Sequence, residues 1–388
     1  MVPTYSLCCI SVLKRLSKEV GMLKRQRGLE EAGQPVTLRD IAERAGVSQG
    51  AVSMALSDHP RIGADTKRTI RRIADELGYV PNSAGRALRV RRTDVIGLVV
   101  PQTGEHVFGH PYFMYLLVGV TAAANAHDST VMVSTNASYQ HGMTAYERVL
   151  HSGAVEGAIV TSAAVDDPDI ARLVASSMPI VLIGHYPNHT NTVSVWIDDQ
   201  SASANITSHL LHDHGLRNLG HISGPLTHQT ALDRYAGFQA ACSAAEATVQ
   251  HVLVEGDFGE DSGYAGTLRL LSMMPNLDGI VAANDEMAFG ALRALRDSGL
   301  NVPQDVAVVG FDDFGVSRLT TPAITTVRVP ATEIGQVAAE KLFNVIAGDN
   351  ADERRFTLPA ELVVRQSCGE HHQTDGSPSD PSTHPMNQ

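Results

Sequence analysis

Eight short apolar runs between residues 95 and 311 constrain this chain more than any other feature. They read VIGLVV (95–100), VMVS (131–134), GAIV (157–160), IVLIG (180–184), LGHIS (219–223), VLVEG (252–256), GIVAA (279–283) and VAVVGF (306–311). Amphipathic stretches at 113–125, 201–214, 231–244, 259–272 and 285–298 separate several of them. Strands that alternate with helical segments build parallel sheets, with helices on both faces. Residues 93–368 are long for one sheet and suit two similar lobes. Folds of this kind bind ligands at the carboxyl ends of the strands, here in a cleft between lobes.

Residues 36–92 follow a different period. Thr37 and Asp40 have capping-box spacing. Leu38, Ile41, Ala42 and Ala45 then recur on one helical face. Gly46 permits a left-handed turn, and Ser48 can cap a second helix. On that helix Val52, Ala55 and Leu56 point to a core, while Gln49, Gly50, Ser53 and Met54 face out. A third helix over about 66–77 buries Ile70, Ile73, Ala74 and Leu77 and carries Lys67, Arg68, Arg71 and Arg72 on its outer side. Pro81 ends regular helix. Two helices and a turn of this kind place the second helix in the major groove of DNA, where each base pair has its own donor and acceptor pattern. The competing reading is a three-helix bundle without a nucleic-acid role. Charge separates the two. Residues 36–92 carry a net +5 and residues 1–35 a net +3, against −20 for residues 93–388. The basic part can neutralise phosphates.

The runs TLRDIAERAGVS, AVSMAL and YVPNSAGRALR resemble the DNA-binding domain of the lactose-repressor (LacI) family of bacterial transcription regulators, and the likeness continues to about residue 368. It implies a small all-α helix-turn-helix head (36–81), a hinge helix (82–92) and an α/β, two-lobed, periplasmic-binding-protein-like effector and dimerisation domain with parallel sheets (93–368). The chain should cross between lobes near Trp196, Val327–Pro330 and Pro359. The implied DNA-contacting set is Thr37, Ser48, Gln49, Gly50, Ser53, Met54, Arg61, Tyr79, Asn82 and Leu88. In relatives the hinge folds against its twin on DNA and a leucine, here Leu88, wedges into the minor groove. This chain departs from the pattern in ways that bear on readout. Met54 stands where many relatives have Arg, and Gly50 offers no side chain. Base reading is expected to lean on Gln49, whose amide can pair with adenine. Gly63 replaces a frequent capping Ser, and Gly85 replaces a frequent Ala at a cost of about 1 kcal/mol in helix propensity.

For the cleft, the resemblance implies an effector-binding set of Thr230, Arg234, Phe258, Asn284, Asp285 and Asp312, to which Phe113 is added as an aromatic face and His185 as a group that reaches in beside Gly184. Arg234 matches an arginine that clamps hydroxyls or carboxylates, and Asp312 matches an acid that accepts sugar hydroxyls. Asp285 has a second reading as a helix cap and Asp312 as a turn residue. Gly184 stands where some relatives have an Asp, and Val329 where many have Gln. Mixed Arg, Asp, Asn, Thr and aromatic groups suit a neutral polyhydroxylated ligand. The expected function is a repressor of a pseudo-palindromic duplex operator, acting as a homodimer under control of a sugar effector. The alternatives are a purine or phosphosugar acting as corepressor, and a solute-binding receptor of the same fold. A receptor would need an export signal and no DNA-binding head.

No enzyme is expected. GHISG (220–224) does not have the spacing of a nucleophile elbow, and Walker A, H-E-x-x-H and C-x-x-C patterns are missing. No cofactor and no metal are expected. His209, His212 and His214 read as solvated groups that favour a helix C-terminus. Cys8, Cys9, Cys242 and Cys368 form no disulfide framework, which fits a reducing cytoplasm, and no apolar run would span a membrane. Residues 1–35 read as a disordered or over-extended N-terminal extension, within which Met22 is the expected initiator. Residues 369–388 read as a disordered polar tail without leucine heptads, which favours a dimer over a coiled-coil tetramer.

Overall fold

The computed structural model describes residues 36–79, 93–137, 143–349 and 353–369. The chain divides into two compact units between Arg91 and Arg92. The hinge segment with Asn82 and Leu88, residues 1–35 and the tail beyond Gly369 lie outside the described residues.

The first unit holds three helices: α1 (Leu38–Ala45), α2 (Gln49–Leu56) and α3 (Ala64–Leu77). The expected caps form. Thr37 Oγ1 accepts from the Asp40 N–H while Asp40 accepts from the Thr37 N–H at 2.7 Å. Gly46 adopts φ +66° and closes α1. Ser48 accepts from the Ala51 N–H at 3.2 Å. Gly63 makes no side-chain cap, so α3 starts without one, two residues before its expected start. Ile41, Ala42, Val52, Ala55, Ile70, Ile73 and Ala74 form one buried cluster, and Leu38, Leu56, Leu77 and Tyr79 pack against it.

The second unit has two lobes. In the first, β1 (Val95–Thr103), β2 (Thr130–Asn136), β3 (Gly157–Thr161), β4 (Ile180–Ile183) and β5 (Val193–Ile197) pair in parallel, with β11 (Arg355–Leu358) on the outer edge of β5. The second lobe has a parallel sheet of β6 (Asn218–Ser223), β7 (Gln250–Glu255), β8 (Gly279–Ala282) and β9 (Ala307–Val309), in the order β7-β6-β8-β9. Strands β10 (Thr326–Arg328) and β12 (Glu361–Val363) form a separate antiparallel pair. The chain passes between lobes after β5, after β10 and between β11 and β12, close to the three expected places. The eight apolar runs all lie on strands. Strands β5, β10, β11 and β12 carry no comparable run, because Ser194 interrupts the apolar residues of β5 and polar residues stand among the apolar ones in the other three.

Helices α4 (Gly104–Gly109), α5 (Pro111–Ala126), α6 (Ala145–Ser152) and α7 (Pro168–Val174) belong to the first lobe. Helices α8 (Asp199–His212), α9 (Gln229–Ala244), α10 (Glu260–Met273), α11 (Asp285–Asp297) and α12 (Gly315–Leu319) follow in the second, and α13 (Ala331–Ile346) returns to the first. Helices α5, α8, α9, α10 and α11 agree with the five amphipathic stretches to within two residues at each end, whereas α13 answers to none of them. Two glycines explain how closely α5 and α13 approach. A Cβ on Gly119 would meet the Thr332 carbonyl oxygen at 1.8 Å, and one on Gly335 would meet that of Leu116 at 2.2 Å. Glycine at both positions lets the two backbones touch.

Candidate functional site

In the head, α2 presents Gln49 and Gly50 exposed at its start, with Ser53 and Met54 half-buried one turn on. Thr37 and Ser48 act as caps, Arg61 is exposed, and Tyr79 packs on the core. The outer cations of α3 are engaged with acids. Lys67 Nζ and Arg71 Nη2 both lie 3.0 Å from Asp58 Oδ1, Arg68 pairs with Asp65, and Arg72 pairs with Glu76. Lys67 and Arg71 therefore hold the α2–α3 loop, whereas the sequence placed them simply on an open basic face. The Lys67 and Arg71 charges hold the Asp58 carboxyl below its usual range.

In the two-lobed unit, the ends of β3, β4 and β5 and the loops after β6, β7 and β9 converge with the starts of α5, α8 and α9 on one cleft, whose inner void measures about 110 Å³. Phe113, His185, Thr230, Arg234, Phe258 and Asp312 all line it, as do Gly184 and Val329. Arg234 is the only Lys or Arg among the described lining residues, and it is buried. Its Nε donates to Asp199 Oδ1 at 2.8 Å, its Nη1 donates to the Ala283 carbonyl, and the same nitrogen lies 3.5 Å from Asp312 Oδ1. The guanidinium carbon sits 3.7 Å from the centre of the Phe311 ring. Burial pushes both carboxyls up despite this cation, Asp312 most strongly. Asp312 has φ +113° and Phe258 has φ +69°. Strained backbone of this kind persists where surrounding structure over-determines it, often at ligand clamps.

Asn284 and Asp285, expected in the cleft, are not among its lining residues, and Asn284 Nδ2 lies 3.0 Å from Nε2 of the lining His110. Asn284 is the cap of α11, accepting from the Met287 N–H at 3.0 Å, and its Nδ2 donates to the Phe258 carbonyl at 2.8 Å. Asp285 accepts from the Thr326 hydroxyl at 2.6 Å and from the Phe314 N–H at 3.2 Å. It ties α11 to the loop after Asp312. Burial pushes its carboxyl up to about 8. A carboxyl raised on folding contributes most stability below its ordinary value, and the contribution is lost as pH rises through about 8. Asp285→Asn should therefore reduce the loss of stability between pH 5 and pH 9, by on the order of a few kcal/mol. Urea unfolding at the two pH values checks this. A residual slope is expected because Asp199 and Asp312 titrate in the same sense, and an unchanged slope would contradict the assignment.

Several lining residues were not singled out from the sequence. Asp199 opens α8 two residues after the end of β5, just ahead of the stretch 201–214 expected as helix. His106, His110 and His228 join His185 around the cleft, with Tyr112 and Trp196. Burial lowers His106, His110 and His228, taking His110 to about 4, so these imidazoles are neutral. A neutral imidazole offers one donor and one acceptor. His185 Nδ1 lies 3.0 Å from Asp233 Oδ2, and its ring stacks near Trp196 with centroids 6.1 Å apart. These histidines come from α4, α5, the β4–β5 loop and the β6–α9 loop, so no local spacing relates them.

Known proteins share both units. Residues 37–82 match the family described as bacterial regulatory proteins of the lacI family, and residues 208–368 match a periplasmic binding protein-like domain. The HTH-type transcriptional regulator CelR of Thermobifida fusca is 33% identical over 336 residues, covering 85% of this chain and 98% of that protein. A solved CelR–cellobiose complex is 32% identical, with a TM-score of 0.66, over 86% of this chain and 99% of that one. The lac repressor dimer bound to operator and the anti-inducer ONPF is 26% identical, with a TM-score of 0.77, over 87% of this chain and 100% of that one. Among the described residues no helix is long and apolar enough to cross a membrane. A DNA-reading head and a two-lobed α/β unit, matched along nearly the whole length of CelR, place this chain in the LacI family of helix-turn-helix transcription regulators.

Proposed function

We propose that the chain is a cytoplasmic, homodimeric repressor whose operator affinity is set by a neutral carbohydrate bound between the lobes. The observation that carries the sugar reading is the pairing state of Arg234. It is the one cationic Lys or Arg among the described lining residues, and the carboxyls of Asp199 and Asp312 already engage it. A phosphate or phosphosugar entering the cleft would have to compete with both carboxylates for it. Hydroxyls suit the same surface, since carboxylate and imidazole acceptors and donors alternate with the faces of Phe113, Trp196 and Phe258. The CelR relative solved with cellobiose supports a small oligosaccharide. In this reading Arg234, Asp312, Thr230 and His185 contact hydroxyls, Phe113 and Phe258 cover C–H surface, and Asn284 and Asp285 hold the wall. On DNA, Gln49, Gly50, Ser53 and Met54 meet base edges, and Thr37, Ser48, Arg61, Tyr79 and Asn82 meet the backbone, with Leu88 at the centre of a two-fold operator. The lac repressor dimer on its operator supports that arrangement. The chain binds its effector without transforming it.

A thermal-shift panel of neutral mono- and disaccharides, nucleobases and sugar phosphates tests the cleft. A ligand at 100 times its Kd stabilises by about 2.7 kcal/mol. The expected hit is a neutral sugar whose shift disappears in Asp312→Ala. A response to a purine or phosphosugar alone would overturn the carbohydrate reading and leave the family assignment intact.

A further inference from the structure

We propose that His209, His214 and Cys368 form a zinc-binding site that fastens the last described turn of the chain to the helix opening the second lobe. His209 lies in the last turn of α8, His214 two residues past its end, and Cys368 in the short turn Gln366–Cys368. The fold closes a separation of 159 residues to bring His209 Nε2 to 3.4 Å from Cys368 Sγ, and His214 Nε2 lies 3.2 Å from His209 Nε2. All three ligand atoms lie within 4.8 Å of one another. Zinc bound at about 2.0–2.1 Å to nitrogen and 2.3 Å to sulfur in a tetrahedron separates such pairs by roughly 3.4 and 3.6 Å. The His209–Cys368 and His209–His214 pairs already lie at nearly those separations, and the His214–Cys368 pair lies within 4.8 Å. His212, the third histidine of the sequence cluster, takes no part.

The surroundings match what a metal would require. His209 Nδ1 lies 2.7 Å from Asp213 Oδ2. That carboxylate fixes the tautomer with Nδ1 protonated, so the Nε2 lone pair is turned toward Cys368 and His214. A carboxylate–histidine pairing of this kind orients imidazoles on zinc. The Thr325 hydroxyl accepts from the Arg365 N–H at 2.8 Å and lies 3.0 Å from Cys368 Sγ, so its own hydrogen is left for the sulfur. A thiolate needs such a donor. On binding, the Sγ–H bond breaks, its proton goes to solvent, and the Zn–S bond forms as zinc sheds water. One thiolate and the Asp213 carboxylate then balance the dication. Two imidazoles and a thiolate suit zinc better than hard cations such as magnesium or calcium.

The test uses the full chain, freed of metal, in a His371→Ala/His372→Ala background that removes the tail histidines as competing ligands. Zinc alone is titrated against a chromophoric chelator, and cobalt(II) is then added in its place. One zinc per chain with submicromolar affinity is expected, together with a thiolate-to-cobalt charge-transfer band and the intense visible bands of a tetrahedral site. Cys368→Ser should weaken zinc at least about a hundredfold, the upper end of what even outer-shell changes cost. His214→Gln, at a partly exposed position, should weaken it as well. Absence of zinc uptake, a cobalt spectrum without the thiolate band, or unchanged affinity in both variants would overturn the site. The cobalt spectrum decides on the unsubstituted ligand set even if Cys368→Ser does not fold. A metal-free cluster would instead be a hydrogen-bonded strap with no response to zinc.

Discussion

Arg234→Ala should destabilise the two-lobed unit by about 3–5 kcal/mol near pH 8, the range found when one member of a buried ion cluster is removed. The guanidinium joins Asp199, Asp312 and the Ala283 carbonyl while stacking on Phe311. Alanine leaves two buried carboxyls without a counter-charge and a void where the side chain lay. The sign of the pH dependence follows from the direction of the shifts. Both carboxyls are already raised by burial, and losing the cation raises them further. Protonation then relieves the strain, so the deficit should shrink as pH falls toward 5. Arg234→Lys should recover only part of it, since one ammonium cannot reach two carboxylates and a carbonyl in a fixed fork. Urea unfolding at pH 8 and pH 5 measures this. A deficit below about 1 kcal/mol at pH 8 would mean the cluster is not the keystone of the cleft.

Gln49→Ala is expected to weaken operator binding by about 1–3 kcal/mol, roughly a 5- to 150-fold loss, concentrated at one base pair of each half-site. Gln49 opens α2 and is exposed, next to a glycine and five residues before Met54. Its amide is the one long polar side chain that this face of α2 offers to a base edge. The salt dependence of binding should not change, because no phosphate contact is removed. Operator selection on the two proteins would show the effect as a single relaxed position. An equal loss on specific and random DNA would instead assign Gln49 to backbone contact.

The head was legible almost residue by residue, since its signals are local. The Thr37–Asp40 box, the Gly46 turn, the Ser48 cap and even the missing cap at Gly63 each depend on neighbours within four positions. The parallel strands were legible because a strand buried on both faces must be apolar throughout. What escaped was set by long-range encounters. Nothing near Lys67 or Arg71 announces that both would clamp Asp58. Asp285 resembled a ligand group until Thr326 and the Phe314 N–H were found holding it. Asp199 and the cleft histidines gain their meaning only where two lobes and several loops converge, and Cys368 meets His209 only through the closed fold.

The central claim is that a sugar in the cleft controls the head's grip on DNA. Its most direct test is the operator Kd by fluorescence anisotropy, with and without saturating sugar, for the unsubstituted protein and for Asp312→Ala. Sugar should weaken operator binding at least about tenfold in the former, within the usual range of allosteric coupling. No sugar effect is expected in Asp312→Ala, whose operator affinity without sugar stays intact. Sugar that binds the cleft and leaves the operator Kd unchanged would contradict the claim.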